Sequence, residues 1–249
     1  MAEISEILRS ARQAALSNRF DTAAGLCRRV LATYPNCLIA LRILAWTELE
    51  GGQDTARDRF GTCSLLDPED PLASVGQGVL HELQGRSDRA LEHFVRAYEL
   101  DPSDDRIAAE IVRLGGTAPQ THLAEAMRRL AKGDNAGAAD HLRAASASNQ
   151  SDPASCLALA RAIWPLGGRT QVNNLVITVL GLSPNCLKAI LYQLAVEVDG
   201  RRMLRARELV GRAAEIDPGF LLSRQYLGEL GGPFLADTAL SLPVRLRPA

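Results

Sequence analysis

The chain has 249 residues, 47% hydrophobic and 23% charged, with a formal net charge of −1. This leaves ample apolar material for a core, and no basic stripe or acidic tail stands out, so neither nucleic acid nor a membrane is an expected partner. All but Lys132 and Lys188 of the 28 basic residues are arginine, a skew that fits a GC-rich bacterial genome.

The first residues, Met1 to Glu6, have no basic region and no long apolar run, so no signal peptide is expected. No stretch approaches the roughly 18 uninterrupted apolar residues of a membrane span. Prolines then recur on a beat: Pro35, Pro68, Pro102, Pro184 and Pro218, at steps of 33, 34, 82 and 34 residues. Gln150, 34 residues before Pro184, is a silent beat. A period near 34 is the signature of stacked helix–turn–helix units. The units are placed at 4–36, 37–70, 71–104, 119–152, 153–186 and 187–220. Residues 221–230 form the first helix of a further, incomplete unit that caps the array.

Each unit repeats the same residue pattern. Twelve residues before each beat stands Ala23, Ala56, Ala90, Ala138, Val172 or Ala206. Four residues later come Cys27, Phe60, Phe94, Leu142, Val176 and Val210, and seven later Val30, Cys63, Ala97, Ala145, Val179 and Ala213. These offsets place all three on one helical face. Upstream lie Asn18, Gly51-Gly52, Gly85, Gly133, Gly167-Gly168 and Gly200, residues suited to the left-handed end of a first helix. The prolines stop the second helices, and Asn36, Asp70, Asp105 and Asn185 are placed to cap the next ones.

This pattern resembles the tetratricopeptide repeat family over most of the chain. The clearest unit runs from Pro71 to Pro102, with Gly78, Gly85, Ala90, Phe94, Ala97 and Pro102 at the family's positions. The resemblance implies an all-α, right-handed α-solenoid of antiparallel helix pairs. Repeats 1–3 occupy 1–102, an inserted helix and break 103–118, repeats 4–6 with the capping helix 119–230, and an apolar tail 231–249. The insertion carries Ile107, Ile111 and Leu114 up to Gly115-Gly116, and is expected to break the stacking or turn the superhelix.

No catalytic constellation appears. His81, His93, His122 and His141 form no H-E-x-x-H motif and no i, i+4 pair. The five cysteines, Cys27, Cys37, Cys63, Cys156 and Cys186, include no C-x-x-C, so a reducing cytoplasm is expected rather than a disulfide framework. Glu48, Glu50 and Asp54 read as a solvated helix end. There is no phosphate-binding glycine loop. Hence no enzyme, cofactor or metal is expected.

In the family the first helices line a concave groove. The resemblance places Leu8, Arg12, Leu41, Arg42, Ala45, Val75, Val79, Glu82, Leu123, Met127, Leu157, Arg161, Lys188, Leu191 and Tyr192 along it. The Lys/Asn/Arg set with which chaperone-binding members grip a terminal carboxylate is absent, since the corresponding sites are mainly Leu, Val and Ala. The expected function is a cytoplasmic scaffold that binds a protein partner, as a peptide or amphipathic helix, in that groove. The alternatives are self-assembly into a homo-oligomer through the tail or the insertion, and a chaperone for an assembling or secreted client.

Overall fold

Fourteen helices and no strand follow one another among the residues that the computed structural model describes, 2–148 and 152–229. Six pairs match the six predicted units: α1 (Ala2–Leu16) with α2 (Phe20–Thr33), α3 (Leu38–Glu50) with α4 (Ala56–Leu66), α5 (Pro71–Leu83) with α6 (Ser87–Leu100), α8 (His122–Ala131) with α9 (Asn135–Ser148), α10 (Pro153–Ile163) with α11 (Arg169–Leu182), and α12 (Leu187–Asp199) with α13 (Met203–Ile216). The inserted helix α7 (Asp105–Arg113) follows the third pair, and α14 (Leu221–Glu229) follows the sixth. Most helices pack on their neighbours in sequence, with α8 passing over α7 to reach α6 and α14 passing over α13 to reach α12, which makes the chain an all-α solenoid. None of the described helices is long and apolar enough to cross a membrane. The silent beat Gln150 and the tail 231–249 lie outside the described residues.

The proline beat has a specific geometry. At each described junction the backbone N–H three residues on bonds back to the carbonyl before the proline: Cys37 to Tyr34, Asp70 to Asp67, Asp104 to Asp101, Cys186 to Ser183 and Phe220 to Asp217. Proline therefore sits at the second position of a β-turn, where its fixed φ is already correct. The residue before it is driven out of the helical region, as the ψ values of 71 to 89° at Tyr34, Asp67, Asp101, Ser183 and Asp217 show. Asp70 caps α5 as expected, accepting from the Leu72 N–H at 3.0 Å. Asn36, Asn185 and Asp105 do not cap. The turn spends the asparagine on its third position, so Cys37 and Cys186 become the N-caps, and Asp104 caps α7 one residue before Asp105.

The packing face of the second helices is as predicted in repeats 1, 2, 3 and 5, where all three positions are buried. In repeat 4 Ala145 is only half-buried. In α13 the face is Ala206, Leu209, Ala213 and Ile216, while Val210 is exposed. There the stripe steps by three rather than four. Left-handed backbone falls at Asn18, Gly52, Gly85, Gly133 and Gly167 as expected, but in repeat 6 at Arg201 (φ 57°) rather than Gly200. Gly76 is required for another reason: a Cβ there would stand 2.3 Å from the Phe60 ring.

In the insertion Ile107 and Ile111 are buried and Gly115 (φ 83°) stops α7. Both α7 and α8 pack on α6, so repeat 4 keeps its contact with repeat 3 despite the extra helix. One apolar cluster then runs from Leu8 through repeats 1–3 and takes in Leu187, Ile190, Leu191, Leu221 and Tyr226 from the far end of the chain. A Cβ on Gly219 would meet the Ser5 hydroxyl at 2.8 Å, so the last junction lies against α1. The array closes on itself.

Candidate functional site

Closure is centred on the turn Asp67-Pro68-Glu69-Asp70, which carries three buried carboxylates. Arg42 on α3 reaches Asp70 at 2.7 Å through Nε and Asp67 at 2.9 Å through a terminal nitrogen. Lys188, in the first turn of α12, places Nζ 3.2 Å from Asp67 and 3.1 Å from Glu69. Arg161 on α10 reaches Glu69 at 3.0 Å. The Tyr226 hydroxyl on α14 donates to Asp67 at 2.6 Å, and Lys188 lies 4.6 Å from the centre of its ring. Three acids thus meet three bases, and one turn ties repeat 2 to repeats 5 and 6 and to the cap.

The charges respond to this setting. Burial disfavours the Asp67 carboxylate, but Lys188 and Arg42 outweigh it and hold its pKa below the usual range. Asp70 goes the other way: burial dominates and raises it, against the pull of Arg42. Burial opposes the Lys188 ammonium too, yet Asp67 and Glu69 keep it well above the usual lysine value.

The predicted groove residues divide accordingly. Leu8, Leu41, Ala45, Val75, Val79, Leu123, Leu157, Lys188, Leu191 and Tyr192 are buried within the chain. Arg42 is committed to Asp67 and Asp70, and Glu82 pairs with Arg113 at 2.6 Å. Arg12 is half-buried on α1. Met127 and Arg161 alone of the predicted set line an open cleft, of about 710 Å³, between repeats 3, 4 and 5.

The floor of this cleft is apolar, with Leu100, Met127, Leu130 and Trp164; Arg128, Arg161 and Arg169 stand around it, and Asp101 is its one carboxylate. Each arginine is fixed. Arg128 donates to the Tyr98 hydroxyl at 2.8 Å. Arg161 lies 3.2 Å from the Met127 sulfur. The Arg169 guanidinium stacks 3.6 Å above the Trp164 ring and pairs with Asp199 at 3.0 Å. Asp101 is turned to Ser103, accepting from its N–H and hydroxyl. The cleft therefore suits a ligand with one apolar group and one negative charge. Of its walls, sequence reasoning placed Met127 and Arg161; Arg128 and Arg169 escaped it because they sit at helix ends, off the first-helix stripe.

The family model of the tetratricopeptide repeat matches residues 54–105, the second helix of repeat 2 and all of repeat 3. The other helix pairs repeat that unit in phase. Residues 54–105 are thus a tetratricopeptide repeat segment. No curated protein matches the sequence. Among solved structures, the tetratricopeptide repeat domain of P58(IPK) is 14% identical with a TM-score of 0.41, over 92% of this chain and 65% of that one. PilF of Pseudomonas aeruginosa is 14% identical with a TM-score of 0.39, over 91% and 99%. The TPR2AB-domain:pHSP90 complex of yeast Sti1 is 13% identical with a TM-score of 0.41, over 93% and 99%. Tetratricopeptide repeats serve in general as protein–protein interaction scaffolds and are generally non-catalytic.

Outside the cleft, several titratable side chains make contacts within the chain. Glu48, read as solvated, is buried; it accepts from Arg59 at 2.5 Å and Thr55 at 3.0 Å, tying the two helices of repeat 2. All five cysteines are free and buried, and burial pushes Cys27, Cys37, Cys63 and Cys186 up to about 12. His81 and His93 stack with centroids 5.1 Å apart, both held below the usual histidine range, first by burial. His122 and His141 face each other with Nδ1 atoms 3.1 Å apart. Among the described residues no three His, Cys, Asp or Glu side chains gather as a metal site would require.

Proposed function

We propose that this tetratricopeptide repeat protein is a non-enzymatic scaffold that takes an extended peptide into the cleft between repeats 3, 4 and 5. The observation that carries this reading is the pairing of an apolar floor, Leu100, Met127, Leu130 and Trp164, with Arg128, Arg161 and Arg169. An apolar side chain fills the floor while a neighbouring acidic side chain or terminal carboxylate meets a guanidinium. Most of the other predicted groove residues are buried or paired within the chain, which favours recognition at the part that stays open.

The test is a panel of short peptides that vary one apolar and one acidic position, titrated against Trp164 fluorescence with Trp46 replaced by Phe. Apolar-acidic peptides should bind, and Met127→Asp or Arg128→Glu should weaken them at least tenfold with helicity unchanged. Equal binding by wild type and both variants would remove the cleft from consideration.

A further inference from the structure

We infer that the helix-turn edge of repeats 5 and 6 docks on the surface of an anionic phospholipid bilayer. The turns that join α10 to α11 and α12 to α13 lie side by side, pinned by the Arg169–Asp199 ion pair at 3.0 Å. These turns and the helix ends that flank them carry four exposed large apolar side chains: Leu166 at 57%, Val198 at 46%, Met203 at 52% and Leu204 at 80% relative exposure. Of the nearby acids, Asp199 is neutralised by Arg169 and Glu197 by Arg202, while Glu208 stands exposed one turn along α13, beside Arg205 and Arg207. Arg201 and Arg205 are exposed and have no carboxylate partner among the described residues. The edge is thus apolar at its tip and positive around it, although the whole chain is at −1.

Side chains this exposed stand proud of the surface, which favours a soft, extended partner over a bound peptide. A bilayer interface supplies both complements: the acyl boundary for Leu204 and Met203, and lipid phosphates for the guanidinium groups. Nothing in this requires a membrane-spanning helix. The edge adjoins the cleft between repeats 3, 4 and 5 at Arg169, but Met203, Leu204, Arg201 and Arg205 are not among the residues that line that cleft, so substitutions there test the edge separately.

The experiment is flotation of the full chain with vesicles of phosphatidylcholine alone and of equal parts phosphatidylcholine and phosphatidylglycerol. Binding should appear with phosphatidylglycerol, at least tenfold above phosphatidylcholine alone, and fade as salt rises. Met203→Asp with Leu204→Asp should lower it at least tenfold. Arg201→Asn with Arg205→Gln should lower it about tenfold; asparagine is chosen because it tolerates the left-handed backbone at 201. Circular dichroism confirms that the variants fold. Absence of vesicle binding overturns the proposal, as does binding that both pairs of substitutions leave unchanged. Retention on immobilised poly-glutamate, lost in the same variants while vesicles are ignored, would reassign the edge to an acidic protein and equally overturn it.

Discussion

Lys188→Met tests whether the charged turn at 67–70 is desolvated. Lys188 is the one cation that touches both Asp67 and Glu69, at 3.2 and 3.1 Å. Methionine keeps the packing of the stem and removes only the charge. Stripping one partner from a buried ion pair costs about 3–5 kcal/mol. Arg42 still faces Asp67 and Arg161 still faces Glu69, so the low end applies, about 3 kcal/mol. With a urea dependence near 3 kcal/mol per molar for a chain this size, the midpoint should fall by about 1 M. Adding Glu69→Gln, which neutralises a carboxylate left short of a partner, should recover part of the loss. A loss below about 1 kcal/mol, the value of an exposed pair, would mean that water reaches the turn and would refute the argument.

The same variant has a pH signature. Asp67 is depressed in the folded chain, so its contribution is present above the unfolded value of about 4 and is lost as pH falls through the lower folded value. Asp70 is raised, so it takes up its proton first and offsets part of that loss. Without Lys188 the Asp67 value moves up and its protonation relieves strain on the folded state. The gap in stability between wild type and Lys188→Met should therefore narrow as pH falls towards 4, measured by urea melts at a series of pH values.

Two further outcomes follow from packing. Gly76→Ala should destabilise by about 1–3 kcal/mol from overpacking, less about 1 kcal/mol of helix propensity regained, because its Cβ meets a ring held against Trp46; Gly78→Ala, with 3.1 Å to Phe94, should be nearly neutral, and urea melts of the two compare them directly. The five thiols should resist a disulfide reagent at pH 8 in the folded chain and all react once the chain is unfolded, since burial holds four of them near 12 and raises Cys156 as well.

The fold was legible because its determinants are local. Proline fixes a turn within four residues, and Ala90, Phe94 and Ala97 define a face within two helical turns. The site was not, because closure is made by residues as far apart as Asp67 and Tyr226, whose meeting no periodicity encodes. One signal did point to it. Helix α3 is apolar nearly all round, from Leu38 to Leu49, and a helix without a polar face must be covered on every side. A groove wall would have kept one side for solvent. Val210 shows the smaller kind of miss: spacing alone did not separate a step of three from a step of four, and Leu209 took its place.

Closure also decides where the molecule opens first. An unclosed array unzips from its ends, where each terminal repeat has a single neighbour. Here repeats 1 and 2 are stapled to repeat 6 and α14, and hydrogen exchange should be slow at α3 and α12. The thin place is the middle: α9 brings to the core little beyond Ala138, Ala139 and Leu142, and its other positions are mostly small or polar. Its amides should exchange early, so that this chain loosens beside its cleft while its two ends hold.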